Sequence, residues 1–131
     1  MRKLIFICLV LVLPILLAAC GSAATPTADS SAKPVNIKVE SKPSPASVGD
    51  AELIFTITDV SGKPVEDATV DVSADHTDMT GMGMNGAATD QGFGKYSINA
   101  NFSMSGNWKL TVYVRNGQGL DYKEDIEFKV Q

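Results

Sequence analysis

The sequence predicts an all-β domain, an antiparallel sandwich of about seven short strands, over residues 35–131. Three observations predict it. Apolar side chains recur at every second position from Val35 onward, the period of a strand with one face buried. Clusters of Gly, Asn, Ser and Pro punctuate these runs, and such residues supply turn geometry. No segment of the region keeps apolar residues at helical spacing for a useful length.

The elements follow in chain order. Ile37 and Val39 alternate in a first strand, and Leu53, Phe55 and Ile57 in a second. The second ends at Asp59-Val60-Ser61-Gly62-Lys63-Pro64, where Ser-Gly and the following Pro are turn chemistry. A third strand carries Val70, Val72 and Ala74 on one face. The clearest alternation is Tyr96, Ile98, Ala100, Phe102 against Lys95, Ser97, Asn99, Asn101. Residues 103–107 turn the chain into a strand with Trp108, Leu110, Val112 and Val114 inward. Asn116-Gly117-Gln118-Gly119 turns it again, and Ile126, Phe128 and Val130 close the domain. Six strands are clear, and the stretch near Ala87-Ala88-Thr89 is the candidate for a seventh. That count and spacing describe an immunoglobulin-like antiparallel β-sandwich without the antibody-type cysteine pair. Trp108 is expected to pack in its core or cap one end.

Residues 1–34 have another character. Arg2 and Lys3 precede an uncharged apolar run from Leu4 to Leu17, followed by Leu17-Ala18-Ala19-Cys20. The run is short for a bilayer span and has the three-part pattern of a cleaved export signal. The final tetrad resembles the bacterial lipobox, which implies cleavage before Cys20 and acylation of that cysteine. Residues 1–19 are then a lipoprotein signal peptide, and residues 20–34, rich in Ser, Ala, Thr and Pro, a lipidated flexible tether. The expected location is extracytoplasmic, lipid-anchored to the cell membrane or outer membrane.

Cys8 leaves with the signal and Cys20 carries lipid, so the domain keeps no free thiol and no disulfide. Removal of Arg2 and Lys3 from eleven basic side chains leaves nine against fifteen acidic ones. With no basic patch, nucleic acid is not an expected partner. A single histidine, no thiol and no Ser-His-acid arrangement leave no catalytic machinery to assign. We therefore expect no enzyme.

One segment breaks the strand pattern. Asp75-His76-Thr77-Asp78-Met79-Thr80-Gly81-Met82-Gly83-Met84-Asn85-Gly86 reads as a polar loop after the third strand. It holds the chain's one histidine and three of the four methionines that follow the signal; the fourth, Met104, extends the inward parity of Tyr96 to Phe102. Thioether sulfur is soft and suits Cu(I), while imidazole binds both copper states. The intervening glycines give the backbone freedom to aim several sulfurs at one point. His76 keeps the parity of Val70, Val72 and Ala74, so a site of His76 with two or three of Met79, Met82, Met84 and Met104 is expected at the sandwich rim. A methionine-rich loop also packs well as apolar filler, and Met104 alone fits a core position better. Zinc would have only Asp75, His76 and Asp78, a poor set for a structural site, and calcium-loop spacing is absent.

Gly62-Lys63-Pro64-Val65, Ala68-Thr69-Val70, His76, the methionine cluster, Gly94-Lys95-Tyr96 and the Met104 to Trp108 run together resemble the YtkA-like domain, a relative of FixH-like domains. The resemblance covers about Val35 to Val130. It implies an immunoglobulin-type sandwich, frequent display on secreted lipoproteins, and a role in copper handling and respiratory oxidase assembly. The resulting expectation is a membrane-tethered copper chaperone or buffer, holding Cu(I), with His76 able to accept Cu(II) as well, and with the lipid membrane and a copper acceptor such as a respiratory oxidase subunit as partners. The alternative is a metal-free immunoglobulin-like interaction module displayed on the cell envelope.

Overall fold

A computed structural model describes residues 33–131. The expected signal peptide, Cys20 and all but the last two residues of the tether lie outside the described residues. Seven strands form: β1 (Val35–Lys42), β2 (Gly49–Asp59), β3 (Thr69–His76), β4 (Gly83–Gly92), β5 (Lys95–Phe102), β6 (Gly106–Asn116) and β7 (Leu120–Val130). All pairings are antiparallel, in the order β1-β2-β5-β4-β3-β6-β7.

Two layers, β1-β2-β5 and β3-β6-β7, are joined by β4. Its first half pairs with β3, from Asp75↔Gly83 to Val70↔Ala88, and its second half pairs with β5 at Thr89↔Ser97 and Asp90↔Tyr96. On the opposite side, Val48 N–H donates to the Gln131 carbonyl at 3.0 Å, and Gln131 N–H donates to the Ala46 carbonyl at 2.8 Å. The sheet is thereby nearly closed, which leaves few unpaired edges. The neighbour relations match an immunoglobulin constant-type sandwich.

The expected alternations hold. Leu53, Phe55, Ile57, Val70, Val72, Ala74, Tyr96, Ala100, Phe102, Trp108, Leu110, Val112 and Val114 are all buried. Each large aliphatic or aromatic side chain so enclosed contributes about 1.5–3 kcal/mol.

The departure is β4. The stretch read as a loop with a short strand near Ala87 is a ten-residue strand, and β3 runs on through His76. Its sequence is Gly, Met, Asn, Ala, Thr, Asp and Gln, without the branched and aromatic residues that favour strands. The ladders on either side impose the extended form there. Residues 77–82 alone remain as the turn of a β3–β4 hairpin.

The sandwich has two unlike ends. The chain enters at one, where Val35 pairs with Asp59. Here the Tyr96 hydroxyl donates to the Val65 carbonyl at 2.9 Å and accepts from Ala68 N–H at 3.2 Å. Asp59 Oδ1 accepts from the Ser61 hydroxyl at 2.6 Å, Ser61 N–H at 2.8 Å and Lys63 N–H at 3.0 Å. These bonds, led by the Ser61 hydroxyl, hold the Asp59 carboxyl below its ordinary range. At the other end, β3 finishes and β4 begins, and the histidine and methionines gather there.

Candidate metal centre

The alternation of β3 sets the position of His76. Because Val70, Val72 and Ala74 face inward, the residue two further on also does, and His76 is 8% exposed at the mouth of the sandwich. Ala74 pairs with Met84, and His76 N–H donates to the Met82 carbonyl at 3.0 Å. Met82 therefore lies opposite His76, with Met84 two residues along on the same face. Directly opposed side chains of an antiparallel pair have Cβ atoms about 4.5–5.5 Å apart.

On its other flank, β3 pairs His76 with Trp108, which pairs in turn with Phe128. The His76 and Trp108 rings meet edge to face with centroids 5.2 Å apart. Met82, His76, Trp108 and Phe128 thus form one transverse row. Phe102, ending β5 in the facing layer, packs edge to face on Trp108 at 5.1 Å.

Residues 103–105 cross below this row. The Ser103 hydroxyl donates to Met82 Sδ at 3.5 Å, and the Met104 carbonyl accepts from Trp108 Nε1–H at 3.2 Å. The Met104 side chain is partly buried against the core. Met79 lies in the hairpin turn and is 45% exposed, and Met82 is 36% exposed. The structure therefore brings His76, Met82 and Met84 onto one face, sets Met104 in the crossing segment, and leaves Met79 out in the turn.

The hydrogen bonds of His76 fix its proton. Asp78 N–H lies 3.2 Å from Nδ1, and a backbone amide only donates, so Nδ1 is an acceptor. The proton of the neutral ring is then on Nε2, which donates to the Ser105 carbonyl at 3.3 Å. Gly106 closes that side: a Cβ there would stand 2.6 Å from Nε2, and its φ of +133° also favours glycine. Nε2 faces backbone, and Nδ1 faces the six-residue turn, 77–82, that carries Met79.

A surface depression of about 300 Å³ is bordered by Met82, Met84, Asn101, Ser103 and Trp108. A second cavity of about 70 Å³, bordered by Leu53, Val72, Ala74 and Ile98 together with Asn85 and Asn99, also adjoins Met84. Met84 borders both spaces, so its unbranched side chain has room to move.

The hard-ligand alternative does not assemble. Asp75 has the opposite parity to His76, is exposed, and its carboxylate accepts from the Ser73 hydroxyl at 3.3 Å. Among the described residues, no three of His, Cys, Asp and Glu group as a metal site. One imidazole nitrogen with neutral thioethers beside it is a donor set that fits a soft monovalent ion such as Cu(I).

Sequence reasoning placed the histidine and methionines but missed the parts around them. Trp108 forms the wall beside the ring, Ser103 holds a sulfur, the Ser105 carbonyl orients the imidazole, and Gly106 makes room for it. The inward parity of Trp108 was available. Its place opposite His76 needed the β3–β6 register.

The model of the family described as YtkA-like matches residues 29–113. The chain belongs to the YtkA-like family. Among solved structures, this YtkA-like chain is similar to the PmoD soluble domain from Methylocystis sp. (Rockwell), with 15% identity and a TM-score of 0.50, over 74% of this chain and 90% of that one. At that identity the likeness concerns the fold. No curated protein matches the chain.

Proposed function

We propose that this YtkA-like protein is an extracytoplasmic, lipid-tethered copper carrier, a chaperone or buffer rather than an enzyme. Copper is its cargo, bound through His76 and the sulfurs of Met82 and Met84, with Met79 and Met104 as further donors. The observation that carries the reading is the opposition of His76 and Met82 across the hairpin, with Met84 next on the same inward face. Membership of the YtkA-like family supports it, because copper handling and oxidase assembly are the roles the resemblance implies. Lipid on Cys20 would hold the domain at the membrane, and a respiratory oxidase subunit is the proposed acceptor.

The chemistry suits exchange. Neutral thioethers bind Cu(I) without needing to lose a proton, and imidazole adds a donor that also accepts Cu(II). The exposure of Met79 and Met82 offers an incoming acceptor two sulfurs to replace one at a time.

Substitution of Met79, Met82 and Met84 together by isoleucine preserves apolar character and removes the sulfurs. Competition against a chromogenic Cu(I) chelator should then show at least a hundredfold weaker binding, on the order of 3 kcal/mol. Unchanged affinity would mean that the methionines only pack. Elemental analysis of the native protein after copper exposure and desalting separates the carrier from a metal-free interaction module.

A further inference from the structure

We propose that the end of the sandwich where the chain enters is a lipid-facing surface that rests on the bilayer through Phe93 and Val60. The inference rests on the lipid-tether reading and not on copper binding.

Phe93 is 81% exposed and Val60 72%, the two highest values among the exposed large apolar residues of the described chain. Both are at turns of this end, Val60 after β2 and Phe93 between β4 and β5. The turns are linked: Ile57 N–H donates to the Gly94 carbonyl at 2.8 Å, and Thr58 bridges to Pro64. The chain enters beside them, since Val35 pairs with Asp59 and Asn36 Nδ2 donates to the Asp59 carbonyl at 3.3 Å.

Phe93 conflicts with its own backbone. Gly92 pairs with Lys95, so Phe93-Gly94 is a two-residue hairpin loop, with φ of +54° and +71°. Such a loop favours Asn-Gly, and a bulky aromatic residue at positive φ is an outlier. The fold gains nothing from a ring held in water, whereas an exposed aromatic residue suits a bilayer interface. A residue that breaks a local rule without internal compensation is a strained position, and strain kept on the surface points to a function outside the fold.

The occupant follows from where the chain is tethered. Only residues 21–32 separate Cys20 from the described domain, and twelve residues reach no further than about 40 Å in any conformation. A tether so short keeps this end at a high effective concentration near the surface, so a contact too weak to bind alone becomes occupied. Four cations, Lys33, Lys63, Lys95 and Arg115, share the end with five carboxylates, Asp59, Glu66, Asp67, Asp90 and Asp121, so charge gives no net attraction to a bilayer. The contact is therefore apolar, and it should form on zwitterionic vesicles and resist salt. It also directs the His76 end away from the membrane, toward acceptors.

The mature lipidated chain reconstituted into phosphatidylcholine vesicles tests this. With Cys8 removed and Cys20 acylated, an introduced thiol is unique. Gln91→Cys and Thr80→Cys place an environment-sensitive label at the entry end and the far end. A bilayer-embedded quencher should reach the label at 91 several-fold better than that at 80. Phe93→Asn should remove the difference while raising the melting temperature, because it repairs the turn. Equal quenching in protein that co-floats with vesicles would overturn the lipid-facing surface alone. Shielding of position 91 from an aqueous quencher without access from the bilayer would also overturn it, indicating a second copy of the chain. Failure to co-float would overturn the tether, and this proposal with it.

Discussion

The two ends of the sandwich use their polar groups in opposite ways. At the entry end, strong acceptors are consumed by structure: Asp59 closes its turn with three bonds, Asn116 Oδ1 accepts from the backbone of Gln118 and Leu120, and the buried Tyr96 hydroxyl bridges Val65 and Ala68. At the far end, a thioether meets one hydroxyl at 3.5 Å, and the imidazole holds one backbone bond on each nitrogen. Open space does not distinguish the ends, since Met84 borders two cavities at the far end and a depression of about 650 Å³ lies among Val35, Asp59, Pro64 and Leu120 at the entry end. Regions that must exchange a ligand are drawn from the less tightly bound parts of a fold. The entry end ties its polar groups into the sheet, and the far end leaves its thioethers lightly bonded, as the proposed exchange of copper would require.

The largest blow to this contrast is Gly106→Ala. Its Cβ would stand 2.6 Å from His76 Nε2, at a φ of +133° that strains any side chain. The expected cost is about 2–3 kcal/mol, accompanied by displacement of the imidazole from Trp108. Chemical denaturation measures the first, and the ring shifts of His76 in NMR spectra report the second. A fully stable variant with unmoved ring resonances would show that Gly106 does not define the seat of His76.

Tyr96→Phe probes the rigid end and should be milder. It leaves the Ala68 N–H and Val65 carbonyl without their shared partner, a loss of about 1–3 kcal/mol. Burial, first of all, raises the Tyr96 phenol above its ordinary range. A phenol with a raised folded pKa contributes stability that is complete below the unfolded value, about 10, and is lost as pH rises beyond it. The native protein should therefore lose stability more steeply above pH 10 than the variant does. Parallel alkaline profiles would remove Tyr96 from the account. Copper affinity should be the same in both proteins, because the hydroxyl lies at the opposite end from His76.

What the sequence disclosed follows the same division. Strands with branched or aromatic residues at every second position, such as Leu53-Phe55-Ile57 and Leu110-Val112-Val114, announced themselves, because local preference and tertiary burial agree there. β4 did not, since Gly83, Asn85, Gly86 and Ala87 have no local reason to extend and are held by β3, with β5 taking over only from Thr89. That one strand turns the expected polar loop into a hairpin and puts Met82 opposite His76. The candidate donors His76, Met82 and Met84 were legible as residue types, and His76 also by its parity. Trp108 beside His76 was not, because the pairing joins residues thirty-two positions apart through register alone. Phe93 shows a different limit: its exposure became informative only once the backbone placed it at positive φ.

The smallest effect separates the two nitrogens of His76. Nε2 is enclosed by the Ser105 carbonyl and Gly106, whereas Nδ1 is covered by the single amide of Asp78, in the turn that carries Met79. A copper ion is therefore expected on Nδ1, with the Nε2–H···O=C bond kept to orient the ring, as the outer partner of a metal-bound histidine commonly does. Copper then takes the place of one amide hydrogen bond of about 1 kcal/mol, which corresponds to roughly fivefold faster exchange of the Asp78 amide hydrogen. Amides of β2 and β5 should keep their protection. Nitrogen-15 spectra of the imidazole should show the proton on Nε2 both with and without Cu(I). Migration of that proton to Nδ1 on loading would mean that the enclosed nitrogen binds instead. The segment from Ser103 to Gly106, rather than the hairpin turn, would then have to be the part of this end that moves.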